Sequence, residues 1–93
     1  MEWDGHSDGK AEAQHGASLA LTCIYGGTFD GFYKKNENTE EKLVNGGRVI
    51  ITEGFTGSHD LEIKDVVESD YGTYVCKNNN NESAELLISI GGK

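Results

Sequence analysis

The chain contains two cysteines, Cys23 and Cys76, and the segments around them constrain the fold more than any other feature. Around the first, Leu19, Leu21 and Cys23 alternate with Ala20 and Thr22 in "SLALTCI"; around the second, "DYGTYVC" (70–76) sets Tyr74 and Cys76 on one row and Val75 on the other. A period of two is that of a strand with one face on a core. Both cysteines therefore occupy inward rows of separate strands. Such a pair either meets across the core as a disulfide or stays as two buried thiols acting as small hydrophobes. A bridge would close a loop of roughly fifty residues, which the chain-entropy model values at about 4 kcal/mol, a large part of the roughly 5–15 kcal/mol that holds a small domain together.

The rest of the chain breaks into segments of the same kind. "NGG" at 45–47 is a turn signal that opens into Arg48 and the β-branched run Val49, Ile50, Ile51, Thr52. Leu61 and Ile63 alternate with Asp60, Glu62 and Lys64, and Ala84, Leu86, Ile88 and Ile90 line one side of the segment from Ser83 to Ile90. A β-rich "FYKK" follows glycines at 26, 27 and 31, and the polar run "NENTEE" suits a turn or a short edge excursion. Proline is absent and no stretch has clean helical periodicity, so the pattern reads as all-β, with about seven to eight short strands in a sandwich or barrel. Ninety-three residues hold one core. Its expected span is 16–90. Residues 1–15, small and polar, read as a loosely specified lead-in with a possible edge strand around Lys10 to Gln14, and 91–93 as a linker within a larger multidomain chain.

Charge and motifs narrow the function classes. Sixteen carboxylates against eight scattered Lys and Arg leave a net charge of −8, which argues against nucleic acid and favours a basic partner. No apolar run approaches the roughly 18 residues that span a bilayer, and the amino end is not of signal type, so membrane insertion by this segment is not expected. Gly26 and Gly31 have the spacing of a phosphate loop, but Phe32 and Tyr33 stand where Lys and Ser or Thr would be required. Ser58, His59 and Asp60 are neighbours, and neighbours on a strand point to opposite faces and cannot converge as a catalytic trio. His6, His15 and His59 share no metal-ligand spacing, and no loop follows the EF-hand pattern. The sequence therefore points to no enzyme, no cofactor and no metal. Asn81-Glu82-Ser83 is an N-glycosylation sequon at an expected hairpin tip, which makes Asn81 a candidate for modification in an oxidising compartment.

Cys23, "LEIKDV", "DYGTYVC" and the closing "AELLISI" together resemble the immunoglobulin superfamily, particularly its I-set, over about Gly16 to Ile90. The resemblance implies a two-sheet Greek-key sandwich with a Cys23–Cys76 bridge between the sheets. It places Tyr74 as the tyrosine of the corner before the second cysteine, and pairs Asp70 with Arg48, the chain's only arginine, at the base. The family's core tryptophan is missing from its usual strand, and the sole tryptophan, Trp3, lies far upstream. Phe32 is the expected stand-in, with Tyr33 the alternative if the register differs by one.

The same resemblance implies a non-catalytic recognition module of a secreted or cell-surface protein, binding a protein partner homophilically or heterophilically in adhesion or receptor recognition. Its first candidate surface carries Tyr33, Lys35, Val75, Lys77, Glu85 and Leu87, with Tyr33, Val75 and Leu87 as an apolar stripe flanked by charge. The alternative is a spacer or docking module of an intracellular, cytoplasmic muscle or cytoskeletal protein.

Overall fold

The computed structural model describes residues 1–91, which contain nine strands in two sheets. One sheet joins β1 (Glu2–Trp3), β3 (Leu19–Ile24), β7 (Ser58–Ile63) and β6 (Val49–Glu53) in that spatial order. The other joins β2 (Lys10–Ala13), β9 (Ser83–Ile90), β8 (Gly72–Asn78), β4 (Phe29–Lys35) and β5 (Glu40–Lys42). Neighbours are antiparallel except β2 and β9, which run parallel. The chain changes sheet between β1 and β2, between β2 and β3, between β3 and β4, between β5 and β6, and between β7 and β8, the last three as a Greek-key sandwich requires.

Two of these strands arise from residues 1–15, where a loose lead-in was expected. The edge strand around Lys10 is β2, which adds to β9 in register Ala11 opposite Ile88. The first, β1, was not anticipated. It is two residues long, too short to show any period, yet it sets Trp3 directly opposite Cys23. Of the linker expected at 91–93, only Gly91 is described; Gly92 and Lys93 lie outside the described residues.

Trp3 corrects the reading of the core. Its side chain is 2% exposed, its ring lies 5.5 Å from that of Phe32, and its Nε1–H donates to the Ala84 carbonyl at 3.0 Å. A buried indole needs such a partner. The volume that Phe32 leaves on β4 is thus filled by a tryptophan from the opposite sheet. A register shift between Phe29 and Gly31 in the β4–β8 pairing settles the remaining ambiguity, with Phe32 inward and almost fully buried and Tyr33 outward. Beside them Cys23 and Cys76 are disulfide-bonded and wholly buried, with Cα atoms 6.5 Å apart, and staple β3 to β8 across the core.

The base of the sandwich is held by polar contacts. Tyr74 donates its hydroxyl hydrogen to the Asp70 carbonyl at 2.6 Å, four residues back, across a 3-10 turn over Glu68–Asp70. Gly72 within this corner has φ +137°, a conformation L side chains rarely adopt. The Asp70 carboxylate accepts both guanidinium nitrogens of Arg48, at 2.7 and 3.3 Å, and the Val67 N–H at 2.9 Å. Burial disfavours the Asp70 charge, but the Arg48 hydrogen bonds, the Val67 N–H and the Arg48 charge outweigh it and hold the carboxyl below its ordinary value. Arg48 also donates to the carbonyls of Lys64 and Asp65, tying the start of β6 to the loop after β7.

Candidate functional site

The outward rows of β4, β8 and β9 bring the six candidate surface residues onto one face, as alternation demands. Tyr33 lies opposite Val75, and Val75 opposite Glu85. Two ion pairs span this face, each reaching across an intervening strand. Lys35 of β4 meets Glu85 of β9 at 2.5 Å, over β8; Lys77 of β8 meets Glu40 of β5, over β4. The Lys77 ammonium also sits 4.5 Å from the centre of the Tyr33 ring, a cation–π contact. Tyr33 donates to Asp30, which approaches Lys42 at 3.8 Å.

This lattice changes the expected apolar stripe. Val75 is only 2% exposed although it faces away from the core, because the residues on the neighbouring strands close over it. Tyr33 is half-buried under Lys77, and Leu87 alone is substantially open, at 44%. The face is therefore a charged, cross-braced sheet with one open aliphatic position, and Val75 lies beneath it. Glu40, in the run expected as a turn or a short edge excursion, lies on the short edge strand β5 and belongs to the lattice; three residues carry too little alternation to assign its face.

The asparagine run at the β8–β9 hairpin is not uniform. Asn78 is buried and uses both ends of its amide: it donates to the Gly26 carbonyl and to Glu82, each at 2.8 Å, and accepts the N–H groups of Asn80 and Glu82. Asn81 is exposed at the tip with φ +64°, and Glu82 and Ser83 beside it are exposed too.

At the same end, the inward rows of both sheets run past the apolar core into a mouth between the β3–β4 and β6–β7 loops. Phe29 stacks on His59 with ring centres 3.8 Å apart, and the Tyr25 hydroxyl lies 2.7 Å from His59 Nδ1. Burial, and then the charge of Glu53, raise the Tyr25 hydroxyl above its ordinary value. Sequence reasoning passed over this group because its members are distant along the chain.

Ser58, His59 and Asp60 have separate engagements. Ser58 donates to the Phe55 carbonyl, His59 meets Tyr25, and Asp60 accepts the Thr22 hydroxyl at 2.8 Å. Among the described residues no cluster of His, Cys, Asp and Glu is placed to hold a metal ion, and no helix is long and apolar enough to cross a membrane.

The architecture is that of immunoglobulin domains. The first Ig domain of mouse polymeric immunoglobulin receptor matches 91% of this chain and 93% of its own with a TM-score of 0.74 at 16% identity. The second Ig domain of the same receptor matches 90% of this chain and 96% of its own, with a TM-score of 0.74 at 15% identity. A chain of the complex of Dpr11 IG1 bound to DIP-gamma IG+IG2 matches 83% of this chain over 44% of its own length, with a TM-score of 0.68 at 20% identity. No protein-family model and no curated protein matches the sequence. The chain thus has the immunoglobulin fold, and what it shares with these domains is the sandwich.

Proposed function

We propose that the domain is a non-catalytic protein-recognition module of a secreted or cell-surface protein, acting in adhesion or receptor recognition. The observation that carries this reading is the outer face of β4, β8 and β9, a sheet surface covered by no other element among the described residues and pre-ordered by ion pairs that span strands. Binding by such a face is presentation: side chains already held in place lose little further freedom on association. Tyr33, Lys35, Lys77, Glu85 and Leu87 form the contact surface, with Leu87 as its apolar centre. One structural neighbour is a chain of the complex of Dpr11 IG1 bound to DIP-gamma IG+IG2, which supports a protein partner here. The buried disulfide favours an oxidising compartment. The exposed Asn81 sequon is compatible with glycosylation there.

The test is a binding screen of the multimerised domain against cell-surface and secreted ectodomains, made in a secretory host. Binding lost in Leu87→Arg and kept in Ile24→Arg, on the opposite face, supports the proposal. Absence of any ectodomain partner, together with a chain whose mass shows free thiols and no glycan, would turn the reading toward an intracellular spacer.

A further inference from the structure

The mouth between the β3–β4 and β6–β7 loops is built unlike the rest of the core. On β7 the inward row runs Ile63, Leu61, His59, and on β6 it runs Val49, Ile51, Glu53, with Glu53 paired in register to His59. The position where β6 would continue its apolar row therefore carries a carboxylate. Glu53 takes part in no ion pair among the described residues, whereas Asp30, Glu40, Asp70 and Glu85 all do. Around it, Tyr25, Thr28, Phe29, Thr56 and His59 line a cleft of about 410 Å³ that contains no lysine or arginine. The cleft walls are fixed: the Tyr25 N–H donates to the Gly57 carbonyl at 2.9 Å, tying one loop to the other, and Phe29 is clamped between His59 and Phe32. On the same loop Phe55 is 89% exposed, the one aromatic side chain among the described residues left so open.

We propose that this mouth receives an arginine side chain of a protein partner. A guanidinium is planar, lies against aromatic rings and forks onto a carboxylate, which matches a cleft walled by Tyr25 and His59, with Phe29 holding His59 in place and Glu53 at its lip. Phe55 supplies the adjoining apolar contact of the kind that anchors interfaces. The chain's net charge of −8 draws a basic partner toward it. The site lies at the loop end, off the sheet face discussed above, and rests on that reading only in taking the domain to bind protein.

The test titrates the 15N-labelled full chain with Nα-acetyl-arginine methylamide and follows NMR shifts. Saturable shifts are expected at Tyr25, Phe29, Glu53 and His59, with the corresponding glutamate derivative producing none. Glu53→Gln, an exposed and conservative change, weakens the arginine probe about five- to tenfold. Glu85→Gln, on the sheet face, leaves it unchanged. Shifts confined to other residues, equal shifts from the glutamate derivative, or undiminished binding by Glu53→Gln would each overturn the proposal. None of these results bears on the Leu87→Arg outcome, so the two readings fail separately.

Discussion

The outer faces of the two sheets are both built from alternate residues of paired strands, yet one is charge-paired and the other acidic. Strands β2, β4, β5 and β8 carry Lys10, Lys34, Lys35, Lys42 and Lys77, and the outward lysines of β4, β5 and β8 meet carboxylates across the sheet. Strands β1, β3, β6 and β7 contain no lysine or arginine, and their outward rows hold Glu2, Asp60 and Glu62 among Ala20, Thr22 and Ile24. On the first of these faces charges of both signs order one another and cover Val75. On the second, like charges stand without cations to gather them, and Ile24 remains 41% exposed. A net negative charge therefore does not spread evenly. It leaves one face neutralised and rigid, suited to a contact that depends on fixed geometry, and the other acidic.

The largest effects fall on what both faces share. Replacing Cys23 and Cys76 together by Ala is expected to cost about 4 kcal/mol, and Trp3→Ala about 3–5 kcal/mol, by chemical denaturation. If Trp3→Ala were neutral, the core would not depend on the β1 strand that joins the acidic sheet. Next comes the base, where Arg48→Ala should lower stability by leaving the Asp70 carboxylate without its fork, by less than either core change. The pH dependence has a definite sign. Asp70 titrates lower in the folded state than its ordinary 3.8, so its contribution is complete above that value and is lost as pH falls below it toward the folded-state value. Acid titration of the wild type and Asp70→Asn should show this loss only in the former.

The faces themselves differ by smaller amounts. A double-mutant cycle on Lys35→Gln and Glu85→Gln should give a small favourable coupling that shrinks with salt, because the pair is largely exposed. Glu62→Lys on the acidic face should stabilise by a few tenths of a kcal/mol at low salt, roughly the scale of surface changes; the same substitution at Glu85 should destabilise, since it sets a like charge beside Lys35. Equal signs at the two positions would erase the distinction between the faces.

The residues themselves show how far the chain could be read in one dimension. Leu21, Cys23, Leu61, Ile63, Tyr74 and Cys76 stand on inward rows of strands long enough to display a period of two, and each is buried. Arg48 and Asp70, 22 positions apart, meet where the corner motif set them. Trp3 was invisible as a core residue because two residues carry no period. Val75 looked exposed because its row faces outward, and nothing local records that Lys35 of β4 and Glu85 of β9 will pair over it. Tyr25, His59 and Glu53 become one site only when two loops close together.

What the sequence alone determined, then, is which side of each strand meets the core, since alternation is a local property that survives any arrangement of the strands. Tertiary structure decided what lies across from each side chain: the tryptophan that fills the place left by Phe32, the carboxylates that neutralise one face, and the glutamate at the mouth that meets no cation among the described residues. These depend on partners far along the chain, brought near only by closing long loops, and no local pattern specifies which of them will meet.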